Sequence, residues 1–547
     1  MTAPPPGEAS SFGYFLAGQA AESYGQTGFA ADLYAHAAAL GPQGSRFYLN
    51  GQAFIAAVLA GDMSRAAALA PEGPDADPDL VKLGALVHGV EDLATGRGQN
   101  ARAALTASEG GAATRTAAAL LLPFAAAEAR DTEASVAQPV IPGAPVAQFY
   151  ARLDQGLLFE HARRYEEAET AYRDLVVKGD PEGLASLALG AMLERRGRGA
   201  DAVAVYVAAL RRLPGDQELL SAWRRASAHQ AAPPQPSLRQ SAALALIAPA
   251  AVMISQKSDD VAMAYLRLAL WLDPAQDEAW ILVGDVLAAE GDTTSARAAY
   301  ARLSPGSPHY VEGELKLAWS FQESGDDSQA LAVTEALAAA HPKDHDILVS
   351  LADMLRSSGR YADSAKILDG LIAGDEGRPD WRLLYMRAVD SEESGDWASA
   401  ESDLTRALGL HPDEPELLNF LGYSWIDRGE KLPQALAMVK KAVSLDPHSG
   451  AMIDSLGWGY YRLGDYAKAV EKLEQAILLE PGDPDVNDHL GDAYWRVGRK
   501  LEAQFQWRRV LTLDPSAKLR TAVETKLKAG LTDPGPDLVA EQQAHGL

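Results

Sequence analysis

Apolar residues along most of the chain recur at the three- and four-residue spacing of amphipathic helices, and these stretches come in pairs. The segment YAKAVEKLEQAILLEP (466–481) is typical, since apolar residues share one face and charged residues share the other. Prolines recur at a constant interval: Pro447, Pro481 and Pro515 are 34 residues apart, and Pro274 and Pro342 are two such intervals apart. Because proline ends a helix, this spacing predicts successive helix pairs.

Small residues recur at two positions within this period. In the unit that begins at 277, Gly284 and Ala296 occupy offsets 8 and 20, and Tyr300 occupies offset 24. Small residues at facing positions let two antiparallel helices approach closely, while the larger residue fills the space beside them. The pattern is typical of tetratricopeptide repeats (TPR). We therefore predict an all-α TPR solenoid of antiparallel helix pairs that form a right-handed superhelix.

The repeat predicts how the chain is organised. Eight consecutive units are predicted from 243 to 517, and two more occupy 149–228. Residues 11–132 are predicted to form TPR-like helices that are partly degenerate, because they are Ala-rich and helix-compatible but keep the period less well.

The remaining segments interrupt or end the repeat. Proline-bearing stretches at 133–148 and 229–240 are predicted linkers. Residues 518–531 have the apolar spacing of a carboxy-terminal cap helix, which terminal repeats need for solubility. Residues 1–10 are predicted to be a disordered leader, and 532–547 a loose tail.

Composition narrows the classes of function. The 547 residues include 75 acidic and 49 basic side chains, for a formal charge of −26. This excess of negative charge opposes binding to nucleic acids and to anionic lipid surfaces. The absence of cysteine excludes thiol catalysis, disulfides and cysteine-ligated metals. The longest apolar runs, 117–127 and 242–254, are shorter than the roughly 20 residues that span a bilayer, so we predict no transmembrane segment.

Sequence motifs give no indication of catalysis. The chain lacks the common nucleotide-binding, serine-hydrolase and zinc-protease motifs, so we predict a non-enzyme without a cofactor or a metal site. His341 and His345 have a spacing that metal ligands can have, but Pro342 lies between them at a repeat boundary. His489, beside Asp488, is a candidate for a pH-sensitive contact, although a packed or surface histidine is the more common case.

The candidate binding surface lies on the first helices of the last three units. In a TPR pair the first helix lines the concave face, so certain offsets of this helix are expected to point into a groove. Here they carry aromatic, amide and charged side chains, which can anchor a partner and also hydrogen-bond to it. The predicted partner-binding residues are Asn419, Tyr423, Asp427, Asp454, Trp458, Tyr461, Arg462, Asp488, Asp492, Trp495 and Arg496. The alternative is that these rings only pack between neighbouring units.

Three strings are more distinctive than the generic repeat: NFLGYSWIDRG (419–429), DSLGWGYYRLGDYAKAVEKLEQA (454–476) and NDHLGDAYWRVGRKLEAQFQWRRVL (487–511). They resemble large proteobacterial TPR proteins, a group that includes outer-membrane-associated lipoproteins. One of these is the adaptor of a periplasmic carboxyl-terminal processing protease that degrades peptidoglycan hydrolases. The resemblance implies a protein-binding adaptor of the cell envelope that docks such a protease and its substrates.

The amino-terminal sequence gives information on the cellular compartment of the protein. MTAPPPGEASS lacks the basic stretch and apolar core of a signal peptide, and no cysteine is present to accept a lipid. Its Pro-rich start resembles the spacer that follows a removed leader. We therefore expect a periplasmic, outer-membrane-associated protein whose leader and lipid anchor have been removed. A cytoplasmic location is the alternative, and a scaffold for envelope polysaccharide or outer-membrane protein assembly or secretion is the alternative function.

Overall fold

The computed structural model describes residues 10–73, 75–138, 141, 145–181, 183–374 and 380–531, which form thirty helices and contain no β-strand. Contacts divide the chain into two compact units, Met1–Val333 and Thr334–Leu547. The helices of the first unit are α1 (Ser11–Ser23), α2 (Thr27–Leu40), α3 (Gln43–Ala60), α4 (Met63–Leu69), α5 (Pro78–Ala94), α6 (Gly98–Ser108), α7 (Arg115–Glu128), α8 (Thr132–Val136), α9 (Pro145–His161), α10 (Tyr165–Lys178), α11 (Leu184–Arg195), α12 (Gly199–Leu210), α13 (Gln217–Ser227), α14 (Leu238–Ser255), α15 (Asp259–Leu272), α16 (Asp277–Ala289), α17 (Thr293–Tyr300) and α18 (Tyr310–Glu323).

The boundary between the units falls within α19 (Asp327–Ala340). The helices of the second unit are α20 (His345–Ser357), α21 (Tyr361–Gly374), α22 (Trp381–Glu393), α23 (Trp397–Leu410), α24 (Pro415–Arg428), α25 (Leu432–Leu445), α26 (Gly450–Arg462), α27 (Tyr466–Leu479), α28 (Pro484–Arg496), α29 (Lys500–Val510) and α30 (Ala517–Ala529). Consecutive helices pack as pairs, such as α26 with α27 and α28 with α29. The predicted all-helical architecture of paired helices is confirmed.

Helix boundaries depart from the predicted segments in two places. The predicted linker 133–148 contains most of α8, because the Asp131 side chain caps this helix by accepting from the Ala134 amide. It also contains the start of α9 at Pro145. The predicted linker 229–240 ends in the first turn of α14, where Ser237 and Gln240 form a capping box. Ser10 caps α1, while the rest of the predicted leader 1–10, and the predicted tail 532–547, lie outside the described residues.

Several turns between the two helices of a pair are formed by a glycine followed by an aspartate. Gly464 adopts a φ of 79°, a left-handed conformation that glycine adopts without strain, and so ends α26. The next residue, Asp465, caps α27 by accepting from the Lys468 amide. Gly291 and Asp292 repeat this arrangement between α16 and α17. The Gly-Asp step therefore both stops the first helix and starts the second.

The two helices of a pair approach closely where glycine faces an aromatic ring. A methyl group added to Gly284 would lie 2.2 Å from the ring of Tyr300. At Gly491 it would lie 2.6 Å from the ring of Trp507, which is fully buried. These contacts explain why small residues at offset 8 accompany a large residue at offset 24, and they place the first helices next to the second helices of their own pairs.

One helix of the first unit is as long and apolar as a membrane-spanning helix. α14 meets that criterion by length and composition, but half of its residues are buried inside the fold. It packs against α7, α9 and α15. This environment is typical of the core helix of a folded domain.

Candidate partner-binding site

The eleven predicted residues lie on α24, α26 and α28, the first helices of three consecutive pairs, and α26 contacts both of the others. We call this surface the first-helix face. Its residues differ in exposure. The buried ones are Asp454, Tyr461, Asp488 and Asp492; the half-buried ones are Asn419, Tyr423, Trp458, Arg462, Trp495 and Arg496; Asp427 is exposed. The structure brings these residues onto neighbouring helices but leaves only some of them accessible to a partner.

The two carboxylates of α28 are paired with the cap helix. Nζ of Lys526, on α30, lies 2.6 Å from Oδ2 of Asp488 and 2.8 Å from Oδ1 of Asp492. The Trp507 indole also donates a hydrogen bond to Asp492, at 3.0 Å. Burial and the charge of Asp488 raise the pKa of Asp492 to about 6, although Lys526 and His489 act in the opposite direction. These acidic groups therefore hold the carboxy-terminal end of the fold together.

His489 joins α28 to α26. Its Nδ1 lies 2.9 Å from Oδ2 of Asp454, and its ring stacks on Trp458 with centroids 4.2 Å apart. Trp458 in turn stacks on Tyr461 at 4.6 Å. Burial alone lowers the pKa of His489, but the carboxylate of Asp454, with smaller effects from Asp488 and Asp492, raises this pKa to about 9. His489 is thus a packed histidine that carries its charge at neutral pH.

The half-buried arginines and tryptophan form contacts within the face. Arg462 donates a hydrogen bond to the backbone carbonyl of Asp427. Arg496 Nε donates to the hydroxyl of Tyr461 at 3.1 Å. The Lys500 ammonium lies 3.5 Å from the centre of the Trp495 ring, in a cation–π contact. These side chains are held in place before any partner arrives, which reduces the entropy lost when one binds.

Three polar atoms of the face have no hydrogen-bond partner among the described residues. They are the amide oxygen Oδ1 of Asn419, the indole nitrogen Nε1 of Trp458 and Oδ1 of Asp488. Leaving a buried polar group unpaired costs about 1–3 kcal/mol. The face therefore carries one donor and two acceptors whose hydrogen-bonding capacity its own fold does not use.

Two residues that support this site were not among the predicted binding residues. Lys526 lies on the cap helix, where a lysine is ordinary, so no pattern marked it as the partner of two buried carboxylates. Trp507 was detectable, since it occupies the aromatic offset opposite Gly491. His341 and His345 are both exposed, and the described part of the chain contains no group of three or more His, Asp or Glu side chains that could hold a metal ion.

Family models match several segments of the chain. The tetratricopeptide repeat model matches residues 151–217, 315–379 and 385–450, and a TPR repeat model matches residues 459–498. The chain is a large tetratricopeptide-repeat protein. The last match contains α28 and most of the residues of the first-helix face that come from α26 and α28. The TPR solenoid fold predicted from the sequence is confirmed.

Two curated relatives share parts of this TPR protein. A TPR repeat-containing protein of Pseudomonas aeruginosa is 30% identical over 196 residues, which are 35% of this chain and 32% of the relative. Cellulose synthase operon protein C of Xanthomonas axonopodis pv. citri is 29% identical over 107 residues, which are 20% of this chain and 7% of the relative. The chain therefore matches about a third of the first relative's length and less than a tenth of the second's.

Solved structures also resemble this TPR protein. A tetratricopeptide repeat protein from Parabacteroides merdae has a TM-score of 0.39 and 16% identity, and the match covers 46% of this chain and 97% of the other. The APC/C hetero-tetramer Cut9-Hcn1 has a TM-score of 0.39 and 14% identity over 96% of both chains.

Proposed function

We propose that this TPR protein is a non-enzymatic adaptor that binds a protein partner along the first-helix face. The observation that carries the proposal is a set of half-buried aromatic and arginine side chains, such as Tyr423, Trp495 and Arg462, on three neighbouring first helices. Tyrosine, tryptophan and arginine anchor interfaces because they bury a large area and still hydrogen-bond.

The proposed partner is a periplasmic carboxyl-terminal processing protease, with its peptidoglycan hydrolase substrates docked on another stretch of the repeats. The resemblance of residues 419–429, 454–476 and 487–511 to envelope TPR adaptors supports this choice. An adaptor that holds enzyme and substrate together makes their encounter intramolecular and so raises its rate without new chemistry. The proposed location is the periplasm, at the outer membrane.

A second candidate function is a scaffold for the assembly or secretion of envelope polysaccharide. The 29% identity over 107 residues to cellulose synthase operon protein C supports it, because the name of that relative associates it with a cellulose synthase operon. In this case the same face would bind a synthase or export subunit.

Affinity capture separates the two functions. The full chain, tagged and expressed in its native host, is cross-linked and purified, and bound proteins are identified by mass spectrometry. A processing protease captured with peptidoglycan hydrolases supports the adaptor, whereas synthase or export subunits support the second function. Fractionation of the same cells checks the location, and recovery of the chain in the cytosol alone would contradict it.

Point variants test whether the first-helix face is the binding surface. Tyr423→Ala, on α24, should strongly reduce capture of the partner. The control is Tyr361→Ala, which removes another half-buried tyrosine from the second helix α21. Equal capture by both variants would place the binding surface elsewhere on the repeats.

A further inference from the structure

A separate cavity of about 300 Å³ lies in the first unit, lined by residues of α9, α11 and α14. The proline-bearing segment between α13 and α14 contributes Pro233, Pro234 and Pro236 to its wall. Most of the other lining side chains are leucine, isoleucine and alanine. The volume is at the lower end of the range of ligand pockets, about 300–1,000 Å³. The cavity is therefore suited to a small ligand with an apolar body.

One buried carboxylate interrupts this apolar wall. Asp154, on α9, is only 5% exposed, and its Oδ2 accepts no hydrogen bond from any described residue. Burial raises the pKa of Asp154 well above its usual value. Buried polar groups in folded proteins are nearly always paired, because an unpaired one loses its hydration without compensation. The exception at Asp154 calls for a partner that the fold itself does not provide.

The charged groups near Asp154 indicate whether a positively or a negatively charged ligand fits the cavity. Arg195 also lines the cavity, but it is already used: Nη2 donates to Oε2 of Glu160 at 2.8 Å, and Nη1 donates to the carbonyl of Pro233 at 3.3 Å. Arg195 and Glu160 neutralise each other. The buried carboxylate of Asp154 keeps an oxygen without a hydrogen-bond partner among the described residues, so the cavity favours a cation.

We propose that this cavity binds a small ligand with an apolar body and a protonated amine, for which Asp154 is the counter-ion. The amine N–H groups satisfy the unpaired carboxylate, while the leucine, isoleucine and proline side chains cover the apolar body. A hydrogen bond to a charged group is stronger than a neutral one, so the amine distinguishes this ligand from an apolar molecule of the same size.

Two probes of equal length test the proposal on the full chain: hexylammonium and 1-hexanol, titrated by isothermal calorimetry at neutral pH. We expect hexylammonium to bind at least about tenfold more tightly, since it adds a charged hydrogen bond to the same apolar contacts. Asp154→Asn keeps the shape of the side chain and should remove the preference. Glu166→Gln, which neutralises an exposed carboxylate on α10, should leave it unchanged.

A third variant checks that the probes enter the cavity. Ala188→Leu, on α11, adds volume to the lining and should weaken binding of both probes. Circular dichroism confirms that each variant is folded. Equal affinity for the two probes, a preference that survives in Asp154→Asn, or no binding of hexylammonium would each overturn the proposal.

Discussion

His489 and Asp454 form a buried ion pair that joins two neighbouring first helices, with Nδ1 and Oδ2 2.9 Å apart. Their side chains are 11% and 9% exposed, so water screens the pair weakly. Trp458 covers the imidazole ring by stacking on it. The pair therefore makes the stability of the second unit depend on pH.

The first prediction follows from the sign of this shift. The pKa of His489 is about 9 in the fold, against about 6.5 in an unfolded chain. Its stabilising contribution is complete below about pH 6.5 and is lost as the pH rises through 9. We expect the free energy of unfolding to fall by up to about 3 kcal/mol over this range. Urea unfolding at pH 6.5 and 9.5, followed by tryptophan fluorescence, measures it.

His489→Gln should remove most of this pH dependence. His341→Gln is the control, because His341 is exposed and lies outside the pair. The measurements begin at pH 6.5 because Asp492, whose pKa is about 6, takes up a proton at lower pH and would add its own effect on stability. A wild-type curve that is flat between pH 6.5 and 9.5 would contradict the ion pair.

The second prediction concerns the cap helix. Lys526→Met removes the cation between Asp488 and Asp492 and leaves two buried carboxylates without their partner. We expect a loss of about 3 kcal/mol at neutral pH, as is usual when one member of a buried pair is removed. The loss should be smaller below pH 6, since Asp492 then takes up a proton.

Lys528→Met, two residues further along α30, is the matched control. Lys528 is exposed, so this change should alter stability by less than about 0.5 kcal/mol. Thermal melts of both variants give the comparison. If the two variants melt at the same temperature, the contacts of Lys526 do not stabilise the cap helix.

The third prediction tests the packing that defines the repeat. Gly491→Ala would place a methyl group 2.6 Å from the buried ring of Trp507, so one helix must move. We expect a cost of about 1–3 kcal/mol. Gly370→Ala, in α21, meets no atom within 4 Å and should instead stabilise by about 0.5–1 kcal/mol. Urea midpoints distinguish the two variants. If Gly491→Ala does not change the free energy of unfolding, the two helices have room for the added methyl group.

The fourth prediction concerns the unpaired Asp154. Because burial raises its pKa in the fold, ionisation of this carboxyl weakens the folded state as the pH rises above the unfolded value of about 3.9. Asp154→Asn should therefore be more stable than the wild type at pH 7, by about 1–3 kcal/mol, and the difference should vanish near pH 4. Thermal melts at both pH values check this, with Glu166→Gln as the exposed control. A less stable Asp154→Asn at pH 7 would indicate a hidden partner for the carboxylate.

The amino-acid sequence by itself determined the repeated helix pair. Three features of the pair lie within about one repeat: the spacing of Pro447 and Pro481, the Gly464-Asp465 turn, and the contact of Gly491 with Trp507. Such contacts link residues close in the chain, so their periodic spacing reveals them without a structure. The choice of first-helix residues as a binding surface also came from this spacing, and it stays a prediction.

Only the tertiary structure decided which side chains of that surface are already paired. His489 meets Asp454 across 35 residues, and Lys526 meets Asp488 across 38. Asp154 came to line a cavity because α14, far along the chain, packs against α9. These contacts depend on how one helix pair stacks on the next. The repeat pattern in the sequence shows that a residue faces a neighbouring helix. Only the packing of the helices determines which atom that residue contacts.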